Sequence, residues 1–268
     1  MNSARKIAGW SVVGLMAACL CAEFLAPAHY ATQFRESPNA APSKRFWLGT
    51  DDLGRDRFSR LLYGGRVSLL LAPAAALLST LLAAGFGMTA GYFQGLTGRI
   101  IMGGVDLFLS LPWFFLLITA RAMLPLDVSP MISVTVTFAL LGLLGWAASA
   151  RVVYAGMRSL RTSDFIITAR ACGCLRWRTL AVHIAPNLKP VLWAQFLVSI
   201  PAFILAEANL TMLGLGVAEP LPSWGSMLKE LENYDNLSSQ PWRLAPLALL
   251  MLVVWAFQVM LSQDEVMA

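Results

Sequence analysis

The sequence predicts an all-α integral membrane protein with six transmembrane helices, and three observations carry that prediction. Hydrophobic residues make up 57% of the 268 and charged residues only 13%, whereas a soluble domain carries about 25% charge. Mean hydropathy is +0.64. Six segments approach the roughly 20 apolar residues that cross a hydrocarbon core of about 30 Å. They are Ile7–Ala26, Val67–Tyr92, Ile100–Ala120, Met131–Ala150, Val191–Leu215 and Leu244–Met260. Between the fourth and fifth lies a helix-patterned connection, Arg151 to Lys189, with seven Lys or Arg against one acid, Asp164. Membrane proteins usually join spans by short turns, so a long cationic excursion marks a docking surface outside the bilayer.

The first segment follows Arg5 and Lys6, like a secretory leader, and Met16-Ala17-Ala18-Cys19 faintly resembles a lipoprotein site. Because several spans follow, an uncleaved anchor is the simpler expectation. Along the second and just beyond it, Ala83, Gly87, Gly91 and Gly95 recur every fourth residue, a small-residue stripe that lets two helices approach closely. Packing within the chain and packing against another subunit both fit it. Glu23, Asp106 and Glu207 lie in or near the spans, where a carboxylate must face protein, water or the interface. Snorkelling or capping accounts for Glu23 and Asp106. Glu207 is deeper, with Asn209 and Thr211 close by in sequence. Two roles compete for it: orienting helix ends near a translocation path or gate, or coupling transport to protons.

Several function classes are excluded or weakened. The chain has no G-x-x-x-x-G-K-[ST] phosphate loop, no H-E-x-x-H and no G-x-S-x-G. It is therefore not expected to be an enzyme, and energy for transport must come from another polypeptide. GFGMTA, from Gly85, lacks the preceding strand of a dinucleotide turn. The cysteines form two Cys-x-Cys pairs, Cys19/Cys21 and Cys172/Cys174, at no zinc spacing, so no metal and no cofactor are expected. The net charge of +5 reads as loops facing lipid or a partner, with no nucleic acid. A proton-coupled secondary carrier is the alternative class, but no chain of Asp, Glu and His crosses the apolar segments. Lys and Arg divide ten and ten between the two sides, so the positive-inside rule leaves orientation open.

Three blocks carry a family resemblance. The run TARACGCLRWRTLAVHIAPN, from Thr168, places Ala169, Gly173 and Pro186 at the spacing of the cytoplasmic EAA signature of binding-protein-dependent ABC importer permeases. LGTDDLGRDRFSRLLYGGRVSL, from Leu48, and EANLTMLGLGVAEPLPSWGSML, from Glu207, resemble blocks of the dipeptide, oligopeptide and nickel branch. Together they are closest to its C-type subunit. The signature's leading Glu is replaced by Ile167, its first Ala by Thr168, and the Leu before Pro186 by Ala185.

The resemblance implies the type I ABC importer permease fold, with a short coupling helix fitting a groove on the ATPase. It implies an N-terminal anchor over residues 1–30, a periplasmic segment over 31–63, a five-helix core over 64–262 and a tail over 263–268. The N-terminus is then cytoplasmic, in a bacterial inner membrane. Implied partners are a second homologous permease, two ATP-binding subunits, a periplasmic or lipid-anchored solute-binding protein and the bilayer. ATPase coupling falls to Asp164, Ala169, Arg170, Gly173, Arg176, Trp177, Arg178 and Pro186. Arg170, Arg176 and Arg178 beside Trp177 combine donors with one apolar anchor, as interface hot spots do. Asp164 suits the start of the helix, Gly173 permits close approach or a bend, and Pro186 is expected to end the helix. In the periplasmic segment, Arg55, Asp56, Arg57 and Arg60 are expected to pair locally with Asp51 and Asp52. Trp224 is expected either at the bilayer surface or in a gate or receptor contact.

Overall fold

A backbone in hydrocarbon must satisfy its own hydrogen bonds, so each apolar run folds as a helix. The computed structural model describes residues 3–93, 95–123, 128–175, 178–232 and 240–261. Helices α1 (Ser3–Leu20) and α2 (Ala22–Leu25) form the first segment. Next come α3 (Arg57–Tyr92), α4 (Leu96–Ser110), α5 (Trp113–Ala122), α6 (Pro130–Leu144) and α7 (Trp146–Arg161). A short α8 (Asp164–Ala171) precedes the π-helical turn Thr179–Ile184, which runs into α9 (Ala185–Met212). Helix α10 (Trp224–Lys229) and α11 (Ala245–Leu261) complete the chain. Two isolated antiparallel bridges, Gln33 with Arg55 and Thr50 with Asp56, are the extended pairings among the described residues.

Four helical stretches are long and apolar enough to cross a membrane: Arg57–Tyr92, Pro130–Arg161, Thr179–Met212 and Pro241–Leu261. Helices α4 and α5 make a fifth if taken as one span bent by 72°. Ile100–Ala120, expected from the sequence as one spanning segment, is broken at Pro112. Pro112 lacks an N–H and pushes the residue before it out of the helical region; Leu111 is extended, with φ −88° and ψ 132°. Helix α1 has 18 residues, begins beside Arg5 and Lys6, and is not among those stretches. Large apolar side chains stay on the outer surface, among them Leu77, Leu81, Leu107, Phe115 and Trp255, as a lipid-facing exterior requires.

Two units divide the chain. The first comprises Met1–Pro73, Arg121–Phe138 and Pro201–Ala268. Here α1 packs against α11. Gly64 and Gly65 admit the chain at Ser223 and Trp224. A Cβ on Gly65 would lie 2.5 Å from Cys19 Sγ and 3.0 Å from the Trp224 ring, and one on Gly64 would lie 3.1 Å from the Ser223 carbonyl carbon. Side chains at both positions would force the two segments apart.

The second unit comprises Ala74–Ala120 and Ala139–Ile200. Its α3 segment meets α7 through the small-residue stripe. A Cβ on Gly87 would lie 2.6 Å from the Ala150 carbonyl, and one on Gly91 would lie 2.5 Å from Met157. At those two positions the stripe packs within the chain. Gly95 instead ends the stripe in a turn, with φ +84° and open space around it. Two apolar clusters hold this unit: Ala90, Met102, Val105 and Ala147 in one, Met157, Ile166, Ile184 and Leu188 in the other.

Candidate functional site

The candidate coupling region is built outward from that second cluster. Asp164 opens α8 and places a carboxylate in its first turn, and Arg170 stands in its last; both signs complement the helix dipole. Ser163, one residue earlier, occupies the N-cap. Ile166 is fully buried against Met157, Ile184 and Leu188, so one apolar residue roots α8 on α7 and the following helix. Its neighbours Phe165 and Ile167 are exposed. Ile167, standing where the signature has Glu, therefore presents an apolar side chain outward, in a helix whose acid lies at Asp164.

Gly173 ends α8, and its role is local and physical. It sits at φ +82°. Its N–H donates to the Arg170 carbonyl at 3.0 Å, and the Cys174 N–H donates to the Ala169 carbonyl at 3.1 Å. That is the Schellman pattern, in which a left-handed residue satisfies the last free carbonyls of a helix. No heavy atom lies within 4 Å of an added Cβ there. Glycine is therefore favoured by the backbone angle, not by crowding within this chain. Asp164, Arg170, Gly173, Arg178 and Pro186 are exposed and Ala169 is half-buried. Arg176 and Trp177 lie outside the described residues.

Pro186 does not end the helix as the sequence suggested. It is the second residue of α9, just after the π-helical turn Thr179–Ile184. In that turn the bonding register is one residue longer, with the Ala185 N–H donating to the Leu180 carbonyl. The wider turn takes in a proline that can offer no N–H of its own, a known use of π-helical segments.

The other predicted residues gather in the first unit. Glu207 and Thr211, one turn apart on α9, face the segment before α10, whereas Asn209 points away and is exposed. Glu207 is fully buried. Its Oε1 accepts from Thr211 Oγ1 at 2.9 Å and from Ser223 Oγ at 2.8 Å. Its Oε2 sits beside Gly225 without a hydrogen bond of good geometry. Ser223 also caps α10, accepting from the Ser226 N–H at 3.0 Å. A Cβ on Gly225 would lie 2.7 Å from Ala208 Cα. Glu207 thus clamps α9 to α10 across a glycine contact.

Trp224 follows the clamp and is fully buried, its indole N–H donating to the Leu61 carbonyl at 3.1 Å. A bilayer-surface brace needs an exposed ring. The absence of a side chain at Gly64 and Gly65 instead leaves room for this tryptophan in the interior.

Asp51, Arg55 and Asp56 belong to a buried charge network. Asp51 Oδ2 lies 2.6 Å from Arg55 Nε and 3.6 Å from Arg60 Nη1. Both arginines also reach Glu219, at 2.5 and 3.2 Å. Asp56 is the cap of α3, accepting from the Ser59 N–H and hydroxyl at 2.8 and 2.6 Å. The expected local pairing holds for Asp51 with Arg55 and Arg60 and fails elsewhere. Arg57 pairs with Glu230 at 2.5 Å, and Asp52 with Arg243 at 3.4 Å. Arg57 Nη1 and Glu230 Oε2 touch as charges without hydrogen-bond angles.

The charges tune one another. Burial pushes Glu219 up, but the Arg60 and Arg55 guanidiniums outweigh it and hold the carboxyl below its usual range. Burial dominates at Glu230 and pushes it up, against the pull of Arg57 and Arg60. Burial would lower Arg55, yet the hydrogen bonds it donates to Glu219 and Asp51 keep it above its ordinary value. Glu219, Glu230, Arg243 and Ser223 were not singled out from the sequence. Arg55, Arg57 and Arg60 are matched in number by Asp51, Asp52 and Asp56, so the local count gave no signal for them.

Within the spans, Glu23 pairs with Arg66 at 2.9 Å, and Asp106 pairs with Arg151. These two acids thus each find an arginine on a neighbouring helix, whereas Glu207 is held by hydroxyls.

Comparisons with known proteins agree with one another. The family described as binding-protein-dependent transport system inner membrane component matches residues 83–262. An oligopeptide transport system permease protein of Bacillus subtilis is 32% identical over 86% of this chain and 73% of its own length. A dipeptide transport system permease protein of Bacillus subtilis is 31% identical, covering 88% and 72%. A glutathione transport system permease protein of Pectobacterium atrosepticum is 33% identical, covering 94% and 82%.

Proposed function

Because this chain belongs to the family of binding-protein-dependent transport system inner membrane components, we propose that it is the permease subunit of an ATP-driven importer of peptides or similar small solutes. It lines a translocation path together with a second homologous permease. Two ATP-binding subunits dock on the 164–187 loop, and a periplasmic or lipid-anchored binding protein delivers the solute. The N-terminus lies in the cytoplasm of a bacterium, and six spans cross the inner membrane, with α1 as the first. Residues 1–30 anchor the chain, 31–63 form a periplasmic segment, 64–262 form the permease core and 263–268 the tail. Peptide is the favoured cargo because the relatives named above carry oligopeptides, dipeptides and glutathione.

One observation carries the coupling assignment. Helix α8 is rooted in the body by Ile166 while Phe165, Ile167, Arg170 and Arg178 face outward. A short helix presenting apolar and cationic groups on a buried anchor is suited to seat in a partner's groove and transmit its motion. ATP binding would bring the two ATP-binding subunits together, move α8, and through Ile166 tilt α7 and α9.

The native thiols test this. Cys172 is exposed just after α8, and Cys21 is exposed near the end of α1. A membrane-impermeant maleimide should reach Cys172 only from the cytoplasmic side and Cys21 only from the other. A thiol cross-linker on Cys172 should capture the ATP-binding subunit in the assembled transporter. Labelling of Cys172 from outside, or an assembled complex without that cross-link, overturns the assignment.

A further inference from the structure

Tyr63, Arg66, Val67, Leu70 and Leu71 repeat at the three-and-four spacing that aligns residues on one helix face. The opposite face of α3 is buried at Leu61, Leu62, Leu69 and Ala72, whereas these five are half-buried or exposed. They form one wall of a cavity of about 510 Å³, closed by Glu23, His29, Tyr30, Met131 and Leu221. Small-ligand sites span roughly 300–1,000 Å³.

The lining has an unusual order of chemistries. At the rim Glu23 and Arg66 pair at 2.9 Å, with their side chains 64% and 39% exposed. Such an exposed pair holds together by about 0–1 kcal/mol, so a ligand bearing both charges can part it. Beside the pair stand three rings, with Tyr30 and Tyr63 centroids 5.0 Å apart and His29 and Tyr63 5.7 Å apart. Ring faces attract ammonium groups. The rest of the lining is aliphatic or thioether: Val67, Leu70, Leu71, Met131 and Leu221. No part of the Glu207 clamp or the Asp51–Glu219 network lies in this cavity.

We propose that this cavity is a docking subsite for a short peptide with free termini. The peptide ammonium replaces Arg66 on Glu23 and rests against Tyr30 and Tyr63. Its carboxylate takes Arg66, and an apolar side chain lies on Leu70 and Leu71. The subsite deepens the peptide-importer reading and rests on it.

The test uses the assembled transporter in vesicles of phosphatidylglycerol, with leucyl-leucine carrying a diazirine on its first side chain as probe. Labelling should fall on the Tyr30, Tyr63 and Leu70 wall and be competed by leucyl-leucine. The N-acetylated and C-amidated analogues should compete about ten-fold less well, the size of one lost charge-assisted hydrogen bond. E23Q should weaken labelling by the free peptide about ten-fold and leave labelling by an acetylated probe unchanged. R66Q should do the same for the amidated probe. Those specific losses distinguish contact with peptide from a merely structural ion pair, whose removal would weaken all probes alike. Labelling elsewhere with uptake intact overturns the subsite and leaves the importer reading standing. Labelling abolished by adding phosphatidylethanolamine, while uptake continues, assigns the cavity to a lipid headgroup and also overturns it. An ATP-hydrolysing complex that takes up no peptide overturns both readings.

Discussion

The Asp51–Arg60 network and the 164–186 loop are both rich in arginine, and they use it in opposite ways. Arg57, Arg60 and Arg243 are only 3%, 1% and 2% exposed, and every one faces a carboxylate of the same chain. Arg170 and Arg178 are exposed, and neither forms an ion pair among the described residues. A buried guanidinium without a partner is costly, so the first group must be matched internally for the chain to fold. A solvated one carries no such demand and is free to meet another molecule. The difference separates charge that holds this protein together from charge left free to meet another molecule.

The comparison breaks most visibly at its most buried points. Asp51→Ala removes the buried one of the two carboxylates that Arg55 and Arg60 share and leaves them only the half-exposed Glu219. It should destabilise by about 3–5 kcal/mol, as loss of one partner of a buried pair does, read by thermal unfolding in detergent. Trp224→Ala should cost a similar ~3–5 kcal/mol from the cavity alone, and Trp224→Phe less, since it keeps most of the ring and loses the bond to Leu61. If either alanine variant unfolds like wild type, that region is not the self-sufficient one.

A smaller effect is expected from pH. Glu219 has a lowered carboxyl pKa, so its stabilisation is present above the ordinary value near 4.5 and is lost as pH falls toward the folded value. Glu230 has the opposite sign. Its raised pKa favours the protonated folded form, so that stabilisation exists below 4.5 and is lost as pH rises through the folded value. Glu230→Gln should therefore flatten the high-pH side of the unfolding-temperature profile, and Glu219→Gln the acid side. Glu219 is half open to solvent, which makes its share the lesser.

In the loop, Gly173→Leu must hold a left-handed backbone at about 1–2 kcal/mol. It should fray the end of α8, uncoupling ATP hydrolysis from uptake in reconstituted vesicles while insertion continues. Gly173→Asn, which tolerates that conformation, should retain most coupling. Unchanged uptake with leucine at 173 would count against the loop as the coupling element. Smallest for stability is the Arg170→Ala, Arg178→Ala pair, expected within about 0.5 kcal/mol of wild type, with a loss of ATP-binding-subunit capture that stability does not predict.

Legibility followed the range of the interaction. The apolar runs announced most helices, and Ala169, Gly173 and Pro186 were singled out by their resemblance to the EAA signature. Local rules read forward would also have given Gly173 as a left-handed stop and Leu111-Pro112 as a break, and both were underread. Pro186 was misjudged because a proline at the start of a helix and one at its end look alike without the π-helical turn before it. For Trp224 the sequence left a bilayer-surface brace and a gate or receptor contact open, because nothing near it in sequence reveals Gly64 and Gly65, some 160 positions away.

Composition alone determined the membrane class, since a chain this poor in charge cannot present a soluble surface. Length and charge set the 151–189 connection apart, and the resemblance to the EAA signature gave it its expected role. Partners for Arg57, Arg60, Arg243 and Glu207 were decided only in three dimensions. A buried charge accepts whichever opposite group the packing delivers, and no rule of neighbouring positions says which one that will be.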